Sequence, residues 1–341
     1  MRSVVLKDVK KFEVVEREEP IKSNGKVIID VKKSGICGSD IHYWVSGNPK
    51  ELVLGHEFAG VITDNGNNEA FKIGDRVTAL PISPCGVCEA CKSGNPQYCR
   101  VTWDNAVGLS LTNPGGLAPK LSVRSDMVYK LPDNMSFEEG AMVEPVAVGL
   151  HAVHLAKIEI GAKVLVIGGG IIGLVSSMFA KKAGASLVVV SETNEKRGEK
   201  AVSLRVSDEW YNAKDPNYIE NLMKKTNGGF DVVIECVGSA PAVNSAFTLV
   251  KPGGTVVLVG VAMDAINIYT VMSVMKELTV QGAIGYTKEE FKTCIDLISN
   301  KSIEVTKFID DIVGLDGVQS AYERLTSGID SAVKILVDPN K

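Results

Sequence analysis

Ten residues, Gly35 to Trp44, hold a thiol, a hydroxyl, a carboxylate, an imidazole and a phenol: Cys37, Ser39, Asp40, His42 and Tyr43. Gly35 and Gly38 flank the thiol, so the backbone can turn there and present it. Only four histidines occur in the chain, so the other parts of a metal site must come from elsewhere. Two further pieces are His56, in Gly55-His56-Glu57, and Glu144, in the apolar run Met142-Val143-Glu144-Pro145-Val146. Each alone has an ordinary reading: a core thiol, a structural imidazole, a charge near a helix start. Together, a thiolate, an imidazole and a carboxylate make an open zinc site with room for water or substrate.

A second set is denser. Cys85, Cys88, Cys91 and Cys99 fall within fifteen residues, and the chain has seven cysteines in all. An odd count argues against a disulfide framework, and the spacing is that of a metal site. Four thiolates close a tetrahedral zinc shell and leave no place for a substrate. Such an ion would order a lobe, Pro81 to Arg100, that has too few apolar residues to order itself. Cys236 and Cys294 read as core residues, and His151 and His154 as packing or helix C-terminal residues rather than metal ligands.

A third pattern concerns a cofactor. Val164-Leu165-Val166-Ile167 runs into Gly168-Gly169-Gly170-Ile171-Ile172-Gly173. Gly168 suits the tight turn, Gly170 the approach of a pyrophosphate, and Gly173 the packing of helix on strand. The free N–H groups of the following helix then face the phosphates. Glu192 lies about 20 residues on, where an acid accepts the adenosine ribose hydroxyls and repels a 2′-phosphate. That predicts NAD rather than NADP, with Arg197 a further residue at the same end.

The elements that must position these groups change character along the chain. Short β-branched runs at Val4–Leu6, Phe12–Val15, Val27–Val31, Phe58–Thr63, Arg76–Ala79, Leu121–Val123 and Met127–Leu131 read as strands of a β-rich region. Ser136 and Glu139 form a capping box, predicting a helix through His154 bent near Pro145. Strands at Lys163–Ile167, Leu187–Val190, Asp231–Glu235 and Thr255–Val259 then alternate with helices at Ile171–Lys182, Glu195–Leu204, Tyr218–Thr226 and Ala242–Leu249. This predicts a parallel sheet buried on both faces. Thr279–Gly282 reads as a further strand, Lys288–Ser299 as a helix and Lys334–Val337 as a terminal strand. A length of 341 residues suits two domains, and a net charge of −4 gives no case for nucleic acid or an anionic membrane. No apolar run reaches spanning length and the start lacks a signal-peptide pattern, so a cytoplasmic protein is expected.

In combination and order, Gly35–His42, Gly55-His56-Glu57, Gly74-Asp75-Arg76-Val77, the four cysteines and the glycine fingerprint resemble the zinc-dependent medium-chain alcohol dehydrogenases over nearly the whole chain. Ile41–Trp44, Tyr129–Asn134, Phe137–Gly140 and Glu144–His151 look like the sorbitol and xylitol dehydrogenases, and Ile284-Gly285-Tyr286 like the butanediol dehydrogenases. The resemblance implies a GroES-like β domain, residues 1–147 and 286–341, enclosing a Rossmann NAD-binding domain, residues 148–285. It implies one catalytic zinc held by Cys37, His56 and Glu144, with Glu57 binding directly or through water, and one structural zinc on the four cysteines. Asp40 would orient His56, and Ser39 with His42 would relay a proton. Ile172, Val237 and Val259 join the glycines, Glu192 and Arg197 around NAD; Tyr43, Phe58 and Tyr286 shape the substrate pocket. The expected reaction is reversible oxidation of a secondary alcohol of a polyol to a ketone, in a homodimer or homotetramer. A 2,3-butanediol or threonine-type dehydrogenase is the alternative, and a non-catalytic NAD-binding homologue a third reading. The chain departs from the sorbitol enzymes at Gly285, where they carry Arg, and reads Leu117-Ala118-Pro119-Lys120 after Gly115-Gly116 where many relatives have Phe-Ala-Glu-Tyr.

Overall fold

A computed structural model describes all 341 residues, which form two compact units. The first comprises Met1–Ala147, Tyr286–Ser327 and Lys334–Lys341; the second comprises Val148–Gly285 and Gly328–Val333. The segment Gly328–Val333 therefore leaves the expected C-terminal block. Asn194 Nδ2 donates to the carbonyls of Gly328 and Asp330, and Arg197 Nη2 to that of Ala332, tying the segment to the second unit.

The first unit is built on the ten-residue strand Lys26–Gly35. On one side it pairs antiparallel with Glu57–Asp64, which leads to Arg76–Ala79 and Val128–Lys130. On the other lie Ile335–Val337 and Asp311–Val313, and Lys120–Arg124 pairs with its first half. The register places Gly35 opposite both Glu57 and Leu336. A one-residue slip would turn every side chain to the other face, so the buried run Val27, Ile29 and Val31 holds that register. Gly35 then passes to Ile36 and Cys37, and a helix follows at Gly38–Ser46. Nothing in the apolar spacing announced this helix. The Asp40 carboxylate caps it by accepting from Cys37 N–H at 3.2 Å, and left-handed Gly47 ends it.

The expected single helix after Ser136 is two, Phe137–Ala141 and Val143–Ala156. The break falls at Met142, and Pro145 sits in the first turn of the second helix. There its missing N–H is one the helix leaves unpaired anyway.

The second unit carries a six-stranded parallel sheet in the order Glu209–Asn212, Leu187–Glu192, Lys163–Ile167, Phe230–Glu235, Val250–Leu258, Thr279–Gly282. Leu165, Val189, Val233 and Val256 are fully buried beneath helices packed on it. The strand Glu209–Asn212 and the helix Thr270–Met275 are too short to show a period; the helix Val318–Thr326 does carry Val318, Ala321, Tyr322 and Leu325 at helical spacing, a signal that the sequence reading passed over. Strand order reverses between Lys163–Ile167 and Phe230–Glu235, the switch point where open α/β sheets bind ligands. No helix is long and apolar enough to cross a membrane.

Candidate metal and cofactor sites

The register of the first sheet gathers residues far apart in sequence. The potential ligand atoms of Cys37, His56 and Glu57 lie within 4.8 Å of one another. Cys37 precedes the capped helix; His56 immediately precedes the neighbouring strand, which Glu57 begins. Asp40, fully buried, sits behind the trio: its Oδ1 is 3.3 Å from His56 Nδ1, close enough to orient the ring though not aligned as a linear hydrogen bond. The Tyr322 hydroxyl donates to Asp40 Oδ2 at 3.4 Å. Burial works against charging His56, but Asp40 and Cys37 outweigh it and raise its pKa well above the ordinary value. A pocket that pulls positive charge onto an imidazole suits a cation.

Glu144 stands outside the tight trio but within reach of its charges. Burial raises its pKa to about 7, with the charge of His56 pulling down and that of Glu57 pushing up. The buried Tyr286 hydroxyl donates to Glu144 Oε1 at 2.9 Å. Tyr286 thus holds a carboxylate and stacks on Phe291, and Phe58, at 1% exposure, lies in the sheet core. Tyr43, Ser39 and His42 remain half-exposed on the helix after Cys37. Ser39 Oγ donates to Cys37 Sγ at 3.3 Å, and His42 follows three residues on, on the same helix face.

Lys334 is the residue that sequence reasoning missed. It is fully buried, and its ammonium donates to Glu57 Oε2 at 2.5 Å and to the Ile36 carbonyl at 2.9 Å. The only signal was a lysine heading an apolar terminal strand, Lys334-Ile335-Leu336-Val337.

Cys85, Cys88, Cys91 and Cys99 form the other cluster, again with sulfurs within 4.8 Å. Separations of 3.5 Å (Cys88 to Cys91) and 3.9 Å (Cys85 to Cys91) match the roughly 3.8 Å edge of a tetrahedron with zinc–sulfur bonds of about 2.3 Å. Backbone N–H groups of Val87 and Cys88 pull the Cys85 thiol down to about 6, so a thiolate is ready to bind. All seven cysteines are unpaired. His151 is buried and His154 exposed, and neither joins a donor cluster. Burial raises the thiols of Cys236 and Cys294, which keeps them inert.

At the glycine turn the three positions differ as the chemistry requires. Gly168 has φ 106°, a left-handed conformation that favours glycine. A Cβ on Gly173 would fall 1.8 Å from the Gly168 carbonyl oxygen, whereas one on Gly170 would meet nothing within 4 Å. That open space beside the start of the helix Ile171–Lys182 suits a phosphate. Ile172 lies in the first turn of the same helix; Val237, half-exposed, lies against Gly168 across the switch point, and Val259 immediately follows the next strand. Glu192 accepts from the N–H groups of Gly169, Thr193 and Asn194 at 2.6–2.8 Å, which fixes its carboxylate beside the turn. Arg197 donates instead to the Ala332 carbonyl.

Comparison with known proteins agrees with this geometry. Residues 23–133 match the alcohol dehydrogenase GroES-like domain family and residues 172–300 the zinc-binding dehydrogenase family. The D-xylulose reductase of Saccharomyces cerevisiae is 34% identical over 331 residues, covering 93% of this chain and 92% of that one. The structure of 2R,3R-butanediol dehydrogenase from Bacillus subtilis superposes with a TM-score of 0.87 at 29% identity, covering 99% of each chain. A zinc-binding dehydrogenase structure from Sinorhizobium meliloti 1021, bound to NADP, gives a TM-score of 0.89 at 29% identity, again over 99% of each chain.

Proposed function

The chain belongs to the zinc-dependent medium-chain alcohol dehydrogenases, and from that premise we propose that it reversibly oxidises a secondary alcohol of a polyol to a ketone with NAD. The observation that carries this reading is the Cys37–His56–Glu57 trio, its thiol half-buried and its other two members buried, with Asp40 behind it and Glu144 beside it. Cys37, His56 and Glu144 would hold the catalytic zinc, with Glu57 as a further donor, and the four lobe cysteines a structural one. When bound, zinc acidifies the substrate hydroxyl and the nicotinamide takes up a hydride. The protein's own part is to orient and to move a proton. Asp40 fixes the face of His56. Ser39, on Cys37, and His42, one helical turn on, carry the substrate proton outward. Tyr43, on the same helix, would shape the substrate pocket.

The polyol reading follows the xylulose reductase relative. The butanediol enzyme supports a second reading, a smaller vicinal diol, because Gly285 replaces the arginine expected of a sorbitol enzyme. A steady-state panel of xylitol, sorbitol, galactitol, 2,3-butanediol and threonine, compared by kcat/KM, separates them. Activity with none, together with two zinc ions per chain, would sink the polyol and diol readings alike. The fixed carboxylate of Glu192 and the internal engagement of Arg197 support NAD; structures similar to this chain have been solved with NADP and with NADH. Glu192→Ala is expected to move the NAD/NADP preference toward NADP by about ten- to a hundredfold, the worth of one or two charge-assisted hydrogen bonds. An unchanged ratio would overturn the assignment.

Seven unpaired thiols suit a reducing compartment such as the cytoplasm. Assembly as a homodimer or homotetramer is supported by the edge strand Thr279–Gly282 and by exposed Met263, Tyr269, Val271, Val274 and Met275 nearby in sequence. Sedimentation of the native protein tests it: a monomer at micromolar concentration would refute it.

A further inference from the structure

Lys334 has no part in the proton path, and a buried ion pair is a poor device for stability. Removing two charges from water costs several kcal/mol each, and apolar replacements often do as well. Yet the structure makes deliberate room for this pair. A Cβ on Gly35 would fall 1.9 Å from Glu57 Oε2, so only a glycine leaves space for the carboxylate at this point of the sheet. Gly35 has no left-handed backbone, which makes space the reason for it. The lysine is held from its own side as well. Its amide donates to Asp310 Oδ2, its carbonyl accepts from Asp310 N–H, and the next carbonyl, Ile335, accepts from Ile36 N–H.

The two oxygens of Glu57 are therefore unequal. Oε2 belongs to Lys334, whereas Oε1 is buried with no donor, on a carboxylate within 4.8 Å of the Cys37 and His56 donors. Charge points the same way. The thiolate of Cys37 and the carboxylates of Asp40, Glu57 and Glu144 carry more negative charge than a divalent ion offsets, and Lys334 supplies a further positive one.

We propose that Lys334 is a positioning residue that reserves Glu57 Oε2, so that Glu57 meets the metal through Oε1 alone, or through water, and never chelates it. This keeps a coordination place for the alcohol, and it rests on the reading that Cys37, His56, Glu57 and Glu144 surround a metal ion. Without the lysine both oxygens are free to bind and the alcohol must compete with them.

Cobalt(II) exchanged for the catalytic zinc reads this directly, because its visible absorption weakens when four-coordination becomes five-coordination. Lys334→Met is expected to weaken that absorption and to lower kcat by about ten- to a hundredfold, the usual range for a residue that orients a ligand. Its NAD dissociation constant should stay near the native one. The double variant Lys334→Met with Glu57→Gln removes both charges and cannot chelate, so its absorption should return to four-coordinate strength. Native absorption and native kcat in Lys334→Met, with only a lower Tm, would overturn the proposal and leave Lys334 a structural partner. Should that variant not fold, a crystal structure of the zinc-loaded native protein decides: one Glu57 oxygen toward zinc and the other on Lys334 upholds it, and both oxygens on zinc overturn it. Metal analysis of the native protein separates this from the underlying reading. Two ions per chain leave the proposal to the cobalt spectra, whereas one ion, at the lobe alone, refutes the catalytic metal site and the proposal with it.

Discussion

The two donor clusters are built on opposite principles. The lobe cluster takes all four sulfurs from fifteen consecutive residues, one of them exposed, in a segment with only a four-residue helix and a single 3₁₀ turn. The other draws Cys37, His56, Glu57 and Glu144 from a helix cap, a strand start and a second helix, and buries all but the first. The lobe cluster has sulfur donors alone, a set that completes a shell. The other mixes sulfur, nitrogen and oxygen and adds two orienting partners, Asp40 and Tyr286, and a buried cation, Lys334. A closed shell gives a loop its shape; an open one needs a folded sheet already in place and gives that sheet its chemistry.

The sharpest way to test this contrast is to damage each cluster alone. His56→Ala should lower NAD reduction with any polyol by about a thousandfold or more, since metal polarisation contributes several kcal/mol to the barrier. Its circular dichroism and NAD affinity should stay close to native; substantial remaining turnover would remove His56 from the metal site. Cys91→Ser should do the reverse. We expect one zinc ion lost per chain, Tm lowered by several degrees and rapid proteolysis between Pro81 and Arg100, with turnover per folded molecule retained. A native Tm in this variant would show that the lobe does not depend on its ion.

Metal removal distinguishes open from closed shells without mutation. Brief dialysis against a chelator should take one zinc and nearly all activity while leaving Tm nearly unchanged; prolonged treatment should take the second and lower Tm. Loss in the opposite order would mean that the exposure of the lobe outweighs its closed shell. The smallest effect belongs to His42→Gln. Turnover should fall by about tenfold, less than the hundredfold or more of a direct acid–base catalyst, and concentrated buffer should restore it. A defect that buffer leaves untouched would take His42 out of the proton path.

Much of this was legible before folding, and the pattern of success is physical. The four-cysteine lobe, the glycine fingerprint and the Ser136 capping box are local, so their residues meet whatever the rest of the chain does. The short elements were not legible. The helix Gly38–Ser46 rests on a cap from Asp40, and the strand Glu209–Asn212 on a neighbour supplied by the sheet. The break at Met142 was misplaced onto Pro145 because a proline within the first turn does a helix no harm.

Sequence alone named the atoms that could bind a metal and the turn that could take a phosphate, because residue type and short spacing govern those properties. Tertiary structure decided how those atoms are held. Glu57 and Lys334 stand 277 residues apart and meet only because the register sets Gly35 between the strand that begins at Glu57 and the strand that follows Lys334. Tyr322 reaches Asp40 over 282 residues, and Tyr286 reaches Glu144 over 142. Contacts of that range have no period or spacing to announce them; they exist when a buried sheet leaves one register in which its apolar face is covered.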